Sequence, residues 1–322
     1  MRFQLALSSC LALALCGLAG HVFADTYPAK PITLVVAYPP GGSTDLTGRA
    51  LGTELSQRLG VPVIIDNVGG AGGAIGAQKV ANAAPDGYTL LAGASNELAI
   101  AKLISSSVRY TQKDFTAIGL VASQPLVLVA APTANVKTID DFLVLIKKNP
   151  GKYSYGSSGV GTSLHLAGEM IKQQGGVEMT HVPYRGVAPL TSDLMGGNID
   201  FGMFVLSSAL PYIRSGKLVA LGTTEARRST LTPDLPALSE SAALKNMDIG
   251  VWFALVGPAK LPEPVVARLK KALAETLQSP DFRKKMEASS SVVPTTTVDI
   301  DRFIGTETAK YRNIVQFANI KE

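Results

Sequence analysis

The stretch VVAYPPGGSTDLTGRALGTEL (35–55) runs from an apolar strand through a proline-glycine turn into an amphipathic helix. YSYGSSGVGTSLHLAGEMIKQQGG (153–176) repeats the pattern about 120 residues later. A strand that turns through glycine into a helix has to return as a parallel neighbour through a crossover, so each copy seeds a βαβ unit. The spacing predicts strands over 31–37, 61–66 and 88–92, with a helix over 44–59 carrying Leu46, Leu51, Leu55 and Leu59. It predicts a second run with strands at 177–184, 199–205 and 217–224, and a helix near 187–195. TAIGLVASQPLVLVAAP (116–132) is long, apolar and β-branched enough to pass from one half to the other, and IGVWFALVGP (249–258) to cross back. Thr138, with Asp141 three residues on, opens a helix that stops at Pro150, and 225–248 reads as a loop-rich return. Helices opened by Pro264, near 281–288 and over 299–317 close the chain. The expected fold is α/β, with 25–125 plus 249–322 as one domain and 126–248 as the other.

Both turns offer the same chemistry. Glycine lets the backbone approach another group, and the following helix presents unpaired N–H donors and the positive end of its dipole. In open α/β sheets ligands lie beyond the carboxyl ends of the strands, where both turns fall. Two such turns facing each other make a cleft that closes on a small anion by hinge bending, with the hydroxyls of Ser43, Thr44, Thr162 and Ser163 assisting. Neither turn carries Arg or Lys, which favours a carboxylate held by neutral donors over a polyphosphate.

Rival motifs are weaker. GGAGGAIG (69–76) has the glycine spacing of a dinucleotide turn, but a tight approach to a helix explains it equally well. GSSGVG (156–161) places Val160 where a serine-hydrolase elbow needs its second glycine. His165 and Glu169 stand one helical turn apart and could begin a metal site, yet Lys172 and Gln173 continue the same polar stripe. His181 alternates with Val177 and Met179 on one strand face and reads as a packed imidazole. No metal and no cofactor are expected.

Arg2, an apolar core over 5–18 and Val22-Phe23-Ala24 have the pattern of an export signal, so 1–24 is expected to be cleaved and the protein to be periplasmic. Cys10 and Cys16, the chain's two cysteines, would leave with it, removing disulfides and thiol chemistry. Hydrophobic residues at 46% and charged residues at 17% describe a folded chain, and its net charge of +5 suits an anionic ligand. The basic clusters are short, scattered and lack interleaved aromatics, which argues against nucleic acid.

Seven segments then occur in order: YPAKPITLVVAYPPGGSTDLTGR, NVGGAGGAIGAQKVANAAPDGYTLL, YGSSGVGTSLHLAGEM, HVPYRG, LMGGNIDFGMF, SGKLVALGTT and PDLPALSE. Together they resemble the Bug (Bordetella uptake gene) family, the solute receptors of tripartite tricarboxylate transporters, over essentially the whole mature chain. The resemblance implies a type II periplasmic-binding-protein-like fold: two α/β domains joined by crossing strands, with a small carboxylate or dicarboxylate between them. It implies a first seat made by Tyr38, Pro40, Gly41, Gly42, Ser43, Thr44 and Asp45, and a second by Ser157, Gly161, Thr162 and Ser163. Asp45 would cap its helix or orient a water, since it would repel a carboxylate. Asp200 matches a family position near the cleft, and a plain strand-end hydrogen bond is its other reading. Ser95, Asn96, Phe204 and Ser207 are the expected variable wall. Tyr38 stands where the family commonly has Phe, and Arg185 where Lys is commoner. The implied partners are membrane permease subunits, or a membrane sensor that uses the same pocket. The protein itself is expected to be a monomer that performs no chemistry on its ligand, the rival being an exported ester or amide hydrolase.

Overall fold

The computed structural model describes residues 27–321 apart from 297. The expected export signal, 1–24, lies outside these residues. The first half opens β1 (Ile32–Val36), α1 (Ser43–Leu59), β2 (Val63–Asn67), α2 (Ala74–Ala81) and β3 (Thr89–Ala94), a βαβαβ progression with β1 parallel to both neighbours. Helix α1 buries Leu51, Leu55 and Leu59 against this sheet and ends at Gly60, whose φ of +76° only glycine adopts freely. Leu46, expected on that face, is exposed instead.

After β3 a π-turn (Asn96–Ile100) runs into the short α3 (Ala101–Ile104). Next comes β4, a strand of 16 residues from Phe115 to Ala130. Its first part, to Pro125, pairs with β9 (Gly250–Pro258), and from Leu126 it pairs with β7 (Phe201–Val205) and β8 (Val219–Thr223). One strand thus belongs to both half-sheets, because a continuous β-branched run can satisfy one ladder up to Pro125 and another from Leu126.

The second half adds α4 (Ile139–Lys148), β5 (Ser154–Ser157), α5 (Ser163–Gly175), β6 (Thr180–Pro183), α6 (Val187–Met195) and α7 (Leu206–Arg214). Strand β5 is parallel to β6 and β7. Thr138 Oγ1 accepts from Asp141 N to start α4, as its spacing predicts. Helix α7 has no counterpart in the sequence reading, because Pro211 inside it masks the helical pattern. The chain then returns through β9 to α8 (Glu263–Gln278), α9 (Pro280–Ala288) and α10 (Ile300–Phe317). Helix α8 buries Val265, Leu269, Ala272 and Leu273, and leaves Val266 and Leu277 half-buried at the stripe's edge.

The strand order is β2-β1-β3-β9-β4-β7-β5-β6, with β8 on the other flank of β4. The carboxyl ends of β1–β3 and of β5–β7 carry the turns singled out in the sequence. Among the described residues no helix is long and apolar enough to cross a membrane.

Candidate functional site

The first turn is held from behind by a charged tie. Asp45, 2% exposed, accepts from Gly41 N, Arg49 Nε and Asn67 Nδ2, each at 2.9 Å. Asn67 Nδ2 also donates to the Tyr38 carbonyl at 2.9 Å. Burial pushes the Asp45 carboxyl up, but these hydrogen bonds outweigh it and hold the group below its ordinary range. Asp45 therefore shapes the turn and keeps its charge paired inward, by holding Gly41 ahead of the helix and not by capping the helix itself. Gly41, at φ +92°, and Gly42, which caps α1 without a side-chain bond, are exposed, as is Pro40. Ser43 is half-buried and Thr44 buried beside them.

The second turn is supported by neutral groups. Thr162 Oγ1 accepts from His165 N at 3.3 Å and donates to Gly159 O at 2.9 Å, closing the start of α5. Gly161 N donates to His165 Nδ1 at 3.0 Å, so the ring proton of the neutral imidazole resides on Nε2. His181 stacks on His165 with ring centroids 3.7 Å apart, and its Nε2 lies 2.7 Å from Ser157 Oγ. Burial pushes His165 down to about 4 and His181 to about 3, so both are uncharged at neutral pH. Tyr155 Oη and Lys172 Nζ occupy Glu169 at 2.7 and 2.8 Å. The polar stripe His165-Glu169-Lys172 is thus an internal scaffold, and no metal-ligating cluster occurs among the described residues.

The two halves meet directly. Ser163 N, at the start of α5, donates to Asn96 Oδ1 at 2.9 Å, and Asn96 Nδ2 donates to Tyr38 Oη at 3.1 Å. Tyr38 Oη also stands 2.8 Å from Glu97 Oε2 and 2.9 Å from Gly72 O. A Cβ placed on Gly161 would lie 1.8 Å from Ile104 Cδ1, so glycine is what lets the second turn reach α3, and its φ of +68° demands glycine as well. Between the second turn and the facing residues of the first half lies a small cavity of about 40 Å³, open to solvent, with Gly72, Asn96, Ile104, Ser105, Gly161 and Thr162 in its wall.

Four expected wall or cleft residues are placed elsewhere. Asp200 Oδ2 accepts from Ser154 N at 2.9 Å, at the amino end of β5 and so at the opposite edge of the half-sheet from Ser157. The strand-end hydrogen bond is the correct reading. Phe204 is wholly buried in an apolar cluster with Val127, Leu190 and Leu194, because alternation along β7 turns it into the core. Ser207 Oγ donates to Gln124 Oε1 at 3.1 Å, beside the point where β4 exchanges β9 for β7, and belongs to the strand crossing. Ser95 is wholly buried, which removes it from the wall. Asn96 is the wall residue that reaches across. Sequence reasoning missed Glu97, Ile104 and Ser105; a lone carboxylate within the apolar run NELAIAKLI was the available signal.

The family model described as the tripartite tricarboxylate transporter family receptor matches residues 47–320. Protein BugT of Bordetella pertussis (strain Tohama I) is 33% identical over 312 residues, covering 96% of this chain and 95% of that protein. The solved structure of Rpa4515 from R. palustris with adipate has a TM-score of 0.85 at 29% identity, covering 92% of this chain and 99% of that one. MatC (Rpa3494) from Rhodopseudomonas palustris with bound malate has a TM-score of 0.81 at 28% identity, covering 90% and 100%. These likenesses bear out the expected two-domain solute-binding fold, and the chain belongs to the tripartite tricarboxylate transporter receptor family, the Bug family.

Proposed function

We propose that the protein is a periplasmic receptor, exported by a signal cleaved after residue 24, that closes on a small carboxylate or dicarboxylate and delivers it to the membrane subunits of a tripartite transporter. The carrying observation is that the second glycine-bearing turn shares the wall of one space with Gly72 and Asn96 of the first half, and that Ser163 N, at a helix N-terminus, reaches Asn96, which in turn bonds Tyr38 at the start of the first turn. The domain boundaries of this proposal lie at 125/126 and 248/249, where β4 exchanges partners and the chain returns toward β9. The ligand's proximal carboxylate takes N–H groups and hydroxyls from Gly41 to Thr44 and from Gly161 to Ser163, with Tyr38 and Asn96 beside them. Such a ligand adds contacts to both halves at once, and that differential contact is what favours closure. Relatives of the same fold bind adipate and malate, which supports the ligand class.

The Ser157–His181 contact is the one observation that leans toward a hydrolase. Ser157 is wholly buried, and its Oγ is also 3.0 Å from Gly159 O, so it is turned into the scaffold and away from the cleft. The test is a thermal-shift panel of mono-, di- and tricarboxylates on residues 25–322. A ligand at a hundredfold excess over Kd stabilises by about 2.7 kcal/mol. A stabilising carboxylate recovered unchanged is the expected result; silence across the panel, or consumption of the ligand, overturns the proposal.

A further inference from the structure

Glu97 is 1% exposed, in the π-turn that follows β3, and nothing in the receptor function as described uses it. Its Oε1 accepts from Ala94 N at 2.5 Å, and its Oε2 lies 2.8 Å from Tyr38 Oη. The partners of that phenol decide the protonation state. A tyrosine hydroxyl donates one hydrogen and accepts others. Tyr38 Oη has three neighbours within hydrogen-bond distance: Asn96 Nδ2, which can only donate, Gly72 O, which can only accept, and Glu97 Oε2. If Glu97 were ionised, two acceptors would compete for one proton, and one oxygen pair, the part-buried one at 2.8 Å or the exposed one at 2.9 Å, would face each other unbonded. If Glu97 carries a proton, every contact is satisfied in one direction. Glu97 donates to Tyr38, Tyr38 donates to Gly72 O, Asn96 donates to Tyr38, and Ser163 N donates to Asn96 across the cleft.

We propose that Glu97 is a proton-binding site built into the ligand cleft, and that anion binding is coupled to proton uptake there. Gly72 lines the cleft space, so the proton on Glu97 frees the Tyr38 hydrogen to hold that wall in place. Tyr38 also begins the first anion seat, and an incoming carboxylate near an ionised Glu97 would meet like charge in a low-dielectric site. Taking up a proton removes that repulsion.

Among the described residues the surroundings offer no cation to hold the group ionised. Tyr110 Oη donates to the Glu97 carbonyl at 2.8 Å. On α10, packed against the same turn, Lys310 is bound to Glu307 at 2.8 Å, and Glu307 to Tyr311 at 2.8 Å. Lys102 on α3 donates to Val108 O, and Lys79 on α2 pairs with Asp66 at 2.7 Å. Burial pushes the Glu97 carboxyl up to about 7, in the direction the hydrogen-bond count requires.

Two measurements test this. The first needs no ligand: thermal stability of wild type and Glu97→Gln is compared from pH 4.5 to 7, the range between the ordinary value and the raised one. A group whose folded-state value is raised contributes stability that is full at the acid end and lost as pH rises through that range. Wild type should lose stability relative to Glu97→Gln over this window, and parallel profiles overturn the proton site. Should Glu97→Gln not fold, the carboxyl carbon shift of Glu97 in isotope-labelled wild type is followed through the same window. Titration near neutral pH supports the site, and titration below pH 5 overturns it.

The second measurement rests on the receptor reading of the same cleft. With a carboxylate found by the panel, Kd of wild type should weaken above neutral pH by up to about tenfold per pH unit, and that of Glu97→Gln should stay flat. Equal pH dependence in both, or calorimetry in buffers of different ionisation heat showing no proton uptake, overturns the coupling. If no carboxylate binds at any pH the receptor reading fails, whereas the ligand-free profile still decides the proton site.

Discussion

The two turns are alike in backbone and opposite in support. Behind Tyr38 to Asp45 stands a carboxylate whose charge is turned inward and matched by Arg49 and Asn67. Behind Ser157 to Ser163 stand two stacked imidazoles with no charge at neutral pH. Any group that braces an anion seat from behind must not project net charge into it. The first half meets this by neutralisation and the second by burial. In the proposed seats the N–H donors would then act on a carboxylate through dipoles alone.

Replacing glycines in each turn should break this pairing most severely. Gly161→Leu drives a side chain into Ile104 across the cleft, at a backbone angle that leucine resists. To the extent that this clash opposes closure, overpacking of about 3 kcal/mol translates into roughly a hundredfold loss of carboxylate affinity. Gly42→Leu points into open space, so binding should fall comparably while thermal stability stays near wild type. Calorimetric titration and melting curves check both, and normal binding by Gly42→Leu would show that the first turn is no seat.

Most elements, α7 excepted, and both turns were legible because each rests on local pattern: apolar strands, glycine at a turn, a hydroxyl at a helix start. Long-range placement was not. Asp200 looks the same in sequence whether it faces the cleft or the amino end of β5, since only the pairing of Tyr155 with Phe201 decides which edge it occupies. Phe204 follows the parity of β7, and one residue of register would have put it on the other face. The Asn96 bridge depends on a π-turn, whose extra residue breaks the helical spacing from which side-chain directions are read.

Next in size is the acid response of the second turn. The folded values of His165 and His181 are depressed from 6.5, so the folded state holds neutral rings that the unfolded chain would protonate. Stability from these rings is full above 6.5 and is lost as pH falls toward 4. His165→Asn keeps an acceptor for Gly161 N and removes one titration. Chemical denaturation should show it losing about 1–2 kcal/mol less than wild type over that range. An unchanged acid slope would mean that the stacked rings are not neutral when folded. Asp45→Asn weakens the first turn's tie by about 1 kcal/mol at neutral pH. Because the Asp45 value is depressed, that difference should shrink as pH falls below about 3.8.

The smallest effect sets the two halves against each other. Between pH 4.5 and 6.5 the histidine pair gives up stability as acid is added, while Glu97 gains it, because its folded value is raised and not lowered. Glu225, also pushed up to about 7 by burial, adds to the Glu97 side. Opposite slopes in one window leave wild-type stability nearly level, within about 1 kcal/mol. Glu97→Gln uncovers the histidine slope and should grow less stable with acid, and His165→Asn uncovers the carboxyl slope and should grow more stable. A steep wild-type profile that both variants follow in parallel would show that neither cleft group titrates as its surroundings require, and would remove the electrostatic distinction between the two turns.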